Sequence, residues 1–170
     1  MARIVYFVAC SLDGKIARTD GDVDWLFSDD EYGYEEFYAN IGVLLMGRKT
    51  FELVQTFGDW PYADRQTYVF SRSMADSDLP SVETVQTDPA AFVNNLSTQS
   101  EKDIWLVGGA TLAEQLLAVD QVDRLIISIH PIILGGGLPL FPDGVPESTW
   151  GLRKWKTYDS GLVQLTYDRA

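Results

Sequence analysis

Three short clusters of glycine, hydroxyl and basic residues follow apolar runs in this chain, and each has the makings of an anion site. Gly47-Arg48-Lys49-Thr50 stands directly after Val43 to Met46. Ser71-Arg72-Ser73 closes the run that begins at Thr67, and Gly108-Gly109-Ala110-Thr111 follows Ile104 to Val107. A glycine lets the backbone come close to a phosphate, and a helix beginning there offers unpaired N–H donors. A guanidinium adds a planar, permanently charged fork. Each cluster alone has a plainer reading, since basic residues after a strand are often only solvated and a glycine pair often only turns the chain. Their recurrence at three strand ends carries more weight, because ligands of open α/β sheets bind in the crevice at the strands' carboxyl ends.

Two other phosphate signatures fail. Gly42 to Thr50 imitates a Walker A loop but carries one residue too many, and its interior Val43-Leu44-Leu45-Met46 reads as a buried strand rather than a flexible cradle. That argues against an ATPase. Gly135-Gly136-Gly137 does not supply the Gly-x-Gly-x-x-Gly of dinucleotide folds.

The elements that must position the clusters alternate between strand and helix. Ile4 to Ala9, Val43 to Met46, Thr67 to Ser71, Val82 to Val85, Ile104 to Val107 and Leu125 to Ile129 read as strands. A helix is expected from Asp29 or Asp30 to about Asn40, with Tyr34, Phe37, Tyr38 and Ile41 at helical spacing. Asp88-Pro89 is a helix start, a cap followed by proline at the first helical position. Another helix after Gly109 turns Leu112, Leu116 and Leu117 inward. Arg153 to Tyr158 and Leu162 to Tyr167 flank the turn Asp159-Ser160-Gly161, which predicts an antiparallel hairpin. The expected fold is α/β: a three-layer arrangement with a mixed, mostly parallel sheet of about eight strands and that hairpin at the C-terminal end. No linker or repeat divides residues 1–170, so a single domain is expected.

Composition narrows the functions. A formal charge of −12 argues against nucleic acid and membrane surfaces, both polyanionic. A phosphate-bearing ligand would therefore need local cations, and Lys15, Arg18, Arg48, Lys49 and Arg72 gather in three short loops while the acids crowd into Asp20 to Asp24, Asp29 to Glu31 and Glu35-Glu36. No apolar run is long enough for a membrane span. Cys10 and His130 are the only residues of their kinds, which permits no internal disulfide and no protein-only zinc site. A reducing, cytoplasmic setting is expected.

Taken together, Ser11-Leu12-Asp13-Gly14-Lys15-Ile16-Ala17, Met46-Gly47-Arg48-Lys49-Thr50, Val69-Phe70-Ser71-Arg72, Gly108-Gly109-Ala110-Thr111-Leu112 and Leu134-Gly135-Gly136-Gly137 with Leu140-Phe141 resemble the dihydrofolate-reductase superfamily. More narrowly, they resemble the C-terminal reductase domain of the riboflavin-biosynthesis deaminase/reductase and its stand-alone relatives. The resemblance spans almost the whole chain. It implies NADPH as cofactor, with Arg48, Ser71 and Arg72 facing the 2′-phosphate and Gly108 to Thr111 holding the pyrophosphate. It implies that the loop from Ser11 to Ala17 lies near the nicotinamide and substrate, and that the protein is a homodimer. No deaminase segment with its zinc chemistry is expected. Val107 departs from the glutamate that the riboflavin reductase carries before its glycine pair. Dihydrofolate reductases place an acid on the helix after the first loop, and Asp30 or Glu31 falls near that place.

The leading expectation is hydride transfer from NADPH to a small heterocyclic or phosphoribosyl substrate, as in 5-amino-6-(5-phosphoribosylamino)uracil reductase. Asp13 is the first candidate for the acid, against the plainer reading that Asp13-Gly14 only shapes a turn. Ser11, Lys15 and Arg18 are candidate substrate contacts, or ordinary loop and surface residues. A pterin reductase using Asp30 or Glu31 is the alternative enzyme, and a nucleotide-binding relative without catalysis is the alternative class. Trp25, Trp60 and Trp105 could line a pocket, although Trp105 reads better as core.

Overall fold

Runs that are apolar on every residue must be covered on both faces, and they occupy the centre of the sheet. The computed structural model describes all residues, 1–170. Its main sheet has eight strands in the order β5-β4-β3-β6-β1-β7-β10-β9. They are β1 (Ile4–Cys10), β3 (Ile41–Gly47), β4 (Gln66–Phe70), β5 (Val82–Val85), β6 (Asp103–Gly108), β7 (Arg124–Ile129), β9 (Trp150–Thr157) and β10 (Val163–Arg169). All pairings are parallel except those of β10, which runs antiparallel to both β7 and β9. The mixed sheet and the C-terminal hairpin are as the sequence predicts.

Four helices cover the two faces: α1 (Tyr34–Ala39), α2 (Arg48–Gln55), α3 (Pro89–Gln99) and α4 (Ala110–Ala118). Leu112, Ala113, Leu116 and Leu117 of α4 join Tyr6, Leu45, Val93, Ile104 and Leu106 in the larger core. Each such leucine contributes about 1.5–3 kcal/mol by leaving water. On the opposite face Phe51 of α2 packs with Leu44, Met46, Val69 and Trp105. Beyond α1 that second face lies open over β7, β10 and β9. No helix is long and apolar enough to cross a membrane.

One local expectation needs correction, and one small sheet is an addition to the expected fold. The helix expected from Asp29 or Asp30 begins only at Tyr34, because Tyr32 (φ 49°) and Gly33 (φ 77°) take left-handed turn geometry that an α-helix cannot include. A second, two-stranded sheet pairs β2 (Lys15–Ala17) with β8 (Leu138–Pro139). Gly137 makes it possible: at φ 136° a Cβ there would lie 2.2 Å from the Ala17 carbonyl oxygen.

Candidate active site

The chain leaves β3 toward β4 on one side and leaves β6 toward β7 on the other. A crevice therefore opens between the carboxyl ends of these adjacent strands, the switch point at which α/β sheets bind ligands. Gly47 and Gly108 form its two lips. A Cβ on Gly47 would stand 3.7 Å from the Gly109 nitrogen, and one on Gly109 would stand 3.5 Å from Thr50 Oγ1. The clusters Gly47–Thr50 and Gly108–Thr111 thus lie against each other. Ser71 and Arg72 follow β4, whose Phe70 pairs with Gly47, so the third cluster adjoins the first. Gly108 has φ 136°, a conformation that L side chains rarely adopt.

The helix ends at this crevice are open. Neither α2, after Gly47, nor α4, after Gly109, has a side-chain cap or an acid in its first turn. The other two helices close their own ends. Glu31 accepts from the backbone N–H of Gly33 (3.1 Å) and Glu35 (2.9 Å) at α1, and Asp88 accepts from Ala91 N–H (2.9 Å) at α3. Unpaired N–H groups and a positive dipole end therefore meet at one place on an acidic protein. Arg72 adds a full charge, since it is the one arginine of the chain without a carboxylate partner. Arg48 is exposed and paired with Glu52 at 3.3 Å. Ser71 Oγ accepts from Met74 N–H (3.0 Å), which leaves its own proton free to donate. Lys49 is exposed and unpaired.

The loop after β1 binds itself together. Ser11 is buried, and its Oγ donates to Asp13 Oδ1 (2.6 Å) while accepting from Lys15 N–H (2.9 Å). Asp13 also accepts from Leu134 N–H (3.1 Å) and Gly135 N–H (2.9 Å). The Ser11 hydroxyl and then the Leu134 and Gly135 amides hold its carboxyl down to about 2. Asp13 is accordingly an anion at neutral pH that ties two loops together, which is a poor state for a proton donor. Arg18 is committed to Asp24 (2.5 Å), and Lys15 has no ion partner. Of the candidate substrate contacts, Lys15 alone retains a free charge.

Past this loop the edge turns aromatic. His130 follows β7 and accepts at Nε2 from Phe27 N–H (3.2 Å), with Nδ1 3.3 Å from the Ser128 carbonyl. Burial pushes its pKa down, so it is neutral. Trp25 meets the imidazole edge-on at 5.2 Å, and Tyr32 meets Tyr158 edge-on at 4.8 Å. This His130–Trp25–Phe27 group carries no spacing signal, because His130 lies over a hundred residues from the other two. Asp30 accepts from Glu31 N–H (2.7 Å), and both acids are exposed at the start of α1, outside the helix itself. The three tryptophans divide. Trp105 is buried and donates to the Phe7 carbonyl (3.2 Å), a structural role, whereas the indole N–H groups of Trp25 and Trp60 are buried without partners.

Residues 2–164 match the model of the RibD C-terminal domain. The uncharacterized protein YwjB of Bacillus subtilis is 34% identical over 99% of this chain and 98% of its own length. The dihydrofolate reductase HdrB of Haloferax volcanii is 29% identical over 95% of this chain and 81% of its own. The crystal structure of a protein from Shewanella sp. PV-4 named for riboflavin biosynthesis superposes with a TM-score of 0.88 at 30% identity, covering 100% of this chain and 99% of that one. The chain belongs to the RibD C-terminal domain family, whose fold is dihydrofolate-reductase-like.

Proposed function

We propose that the protein is an NADPH-dependent reductase acting on a small heterocyclic or phosphoribosyl-type substrate. The observation that carries this reading is the crevice between Gly47 and Gly108, where two uncapped helix starts meet, with the unpaired Arg72 just after the adjoining strand β4. A dinucleotide phosphate fits that donor set. The N–H groups at Ala110 and Thr111 would receive the pyrophosphate, with Gly108 and Gly109 allowing close approach and Thr50 beside them. Arg72, Arg48 and the Ser71 hydroxyl would receive the 2′-phosphate, with Lys49 adding charge at the rim. When bound, the cofactor supplies the hydride.

The chain's own part is to bind, to orient and to exclude water. Asp13 holds the loop after β1 against Leu134 and Gly135. Lys15 offers the charge for a substrate phosphate. The partnerless indole N–H groups of Trp25 and Trp60 are donors suited to a polar heterocycle. The pterin reading requires an acid on α1, but Asp30 and Glu31 precede that helix and are engaged with backbone amides. The similarity to HdrB nevertheless keeps dihydrofolate in the comparison. A homodimer accompanies this reading, with Trp155 (68% exposed) and Leu152 (48%) on edge strand β9 as its apolar contact. Sedimentation of Trp155→Lys as a monomer, against dimeric wild type, is the result expected.

The test is NADPH oxidation measured in parallel with the deaminated pyrimidine intermediate of riboflavin synthesis and with dihydrofolate. Turnover with the pyrimidine supports the first reading and turnover with dihydrofolate the second. Tight NADPH binding with no turnover on either points to a nucleotide-binding relative, for which Val107 is the residue to question.

A further inference from the structure

A second cavity, of about 230 Å³, lies behind α1 on the open face of β1, β7, β10 and β9. Its floor is apolar at the α1 and β1 side, with Val5, Phe7, Phe37 and Ile126, and polar toward β9, where Gln164 and Thr166 of β10 line it. Its rim is basic, with Arg3, Arg124, Lys154 and Lys156 against Glu36 and Asp103. Arg3 pairs with Asp103 and Arg124 with Asp168. Lys154 and Lys156 have no carboxylate partner, and Lys156 instead sits over the Tyr158 ring at 4.7 Å. The Tyr158 hydroxyl, at the same wall, is shut off from solvent without a hydrogen-bond partner. A buried hydroxyl left unpaired costs free energy unless something completes it.

The cavity is separate from the crevice at Gly47 and Gly108. Gly33, Glu36, Phe37 and Asn40 present one side of α1 to it, while Tyr34 and Tyr38 stack on each other (5.4 Å) within the aromatic cluster around Trp105. Its far end is formed by Arg3, Asp103 and Arg124, at the amino ends of β1, β6 and β7, opposite the edge that carries the glycine clusters.

We propose that this cavity binds a small organic anion with an apolar body, of the class of aromatic carboxylates. The rings and Ile126 would cover the body, Lys154 and Lys156 would take the charge, and Tyr158 would complete its hydrogen bonding to the carboxylate. Unpaired lysines on a chain of net charge −12 are where an anion is drawn.

The test is a calorimetric titration of the full chain with 2-naphthoate, with inorganic phosphate (charge alone) and 2-naphthalenemethanol (apolar body alone) as comparison arms. Naphthoate is expected to bind more tightly than either, and Lys154→Ala with Lys156→Ala to weaken it about tenfold or more. Tyr158→Phe should weaken it less, and Arg72→Ala should leave it unchanged. NADPH binding should be the same in the double lysine variant as in wild type, which separates this site from the proposed cofactor site. Absence of naphthoate binding to wild type, or equal binding by the double variant, overturns the proposal. A change of sedimentation state in the double variant also overturns it, since the face would then be covered by a second copy of the chain.

Discussion

The four helices start in two different ways, and the difference marks the working end of the molecule. Those of α1 and α3 are closed by the chain's own carboxylates, Glu31 and Asp88. Those of α2 and α4 are left open, and they are the two that begin beside each other at Gly47 and Gly109. A side-chain cap contributes about 1 kcal/mol to a helix. Forgoing it twice at one place, on an acidic protein, makes sense where an anion from outside completes the N–H groups.

The largest effect is expected at α4. Thr111→Asp would place a carboxylate in the open first turn. Like charges about 4 Å apart repel by about 4 kcal/mol at an effective dielectric of about 20. NADPH should therefore bind two to three decades more weakly by fluorescence titration, while the melting temperature stays the same or rises, because an acid suits a helix start. Loss of stability instead would mean that α4 is not open in the way described.

Asp13→Asn tests the loop that borders the site. The amide can accept at only one of its two terminal atoms, so the bonds from Ser11, Leu134 and Gly135 cannot all persist. Turnover should fall several-fold with KM and kcat both affected, as expected for lost positioning rather than a lost proton donor. The pH profile sharpens this. The folded pKa of about 2 lies below the unfolded value near 3.9, so the loop's hold is complete above about pH 4 and is lost as pH falls through about 2. No limb of the rate profile between pH 5 and 9 should belong to Asp13. A limb in that range that vanishes in Asp13→Asn would assign Asp13 the role of the acid.

The smallest effect is expected at a closed helix. Asp88→Ala should lower stability by about 1 kcal/mol in urea unfolding and leave NADPH binding untouched. A matching loss of binding would remove the distinction between the two kinds of helix start.

What the sequence discloses and what it withholds follow from range. The strands at Ile4, Val43 and Ile104 are legible because burial on both faces demands uninterrupted apolar residues. The clusters at Gly47, Ser71 and Gly108 are legible because each is a local motif that must turn a strand into a binding edge. Asp13 was legible as a conspicuous acid, but its state depends on Leu134, a partner 121 positions away. The early helix start failed on turn chemistry: Asp29 to Glu31 look like a helix entrance, yet Tyr32 and Gly33 turn left-handed and Glu31 caps from outside. The cavity behind α1 depends on Lys154 and Lys156 sharing a strand face opposite Phe7, and neither residue carries a local signal.

Whether the crevice receives a 2′-phosphorylated dinucleotide is decided by titrating wild type, Arg72→Ala and Arg48→Ala with NADPH and with NADH. A hydrogen bond to a charged group is worth about 1.5–3 kcal/mol, so Arg72→Ala should weaken NADPH binding roughly 10- to 150-fold. Arg48→Ala should weaken it less, because Glu52 already shares its charge, and NADH affinity should hardly change in either variant. Equal losses for NADPH and NADH, or none in Arg72→Ala, would contradict the account.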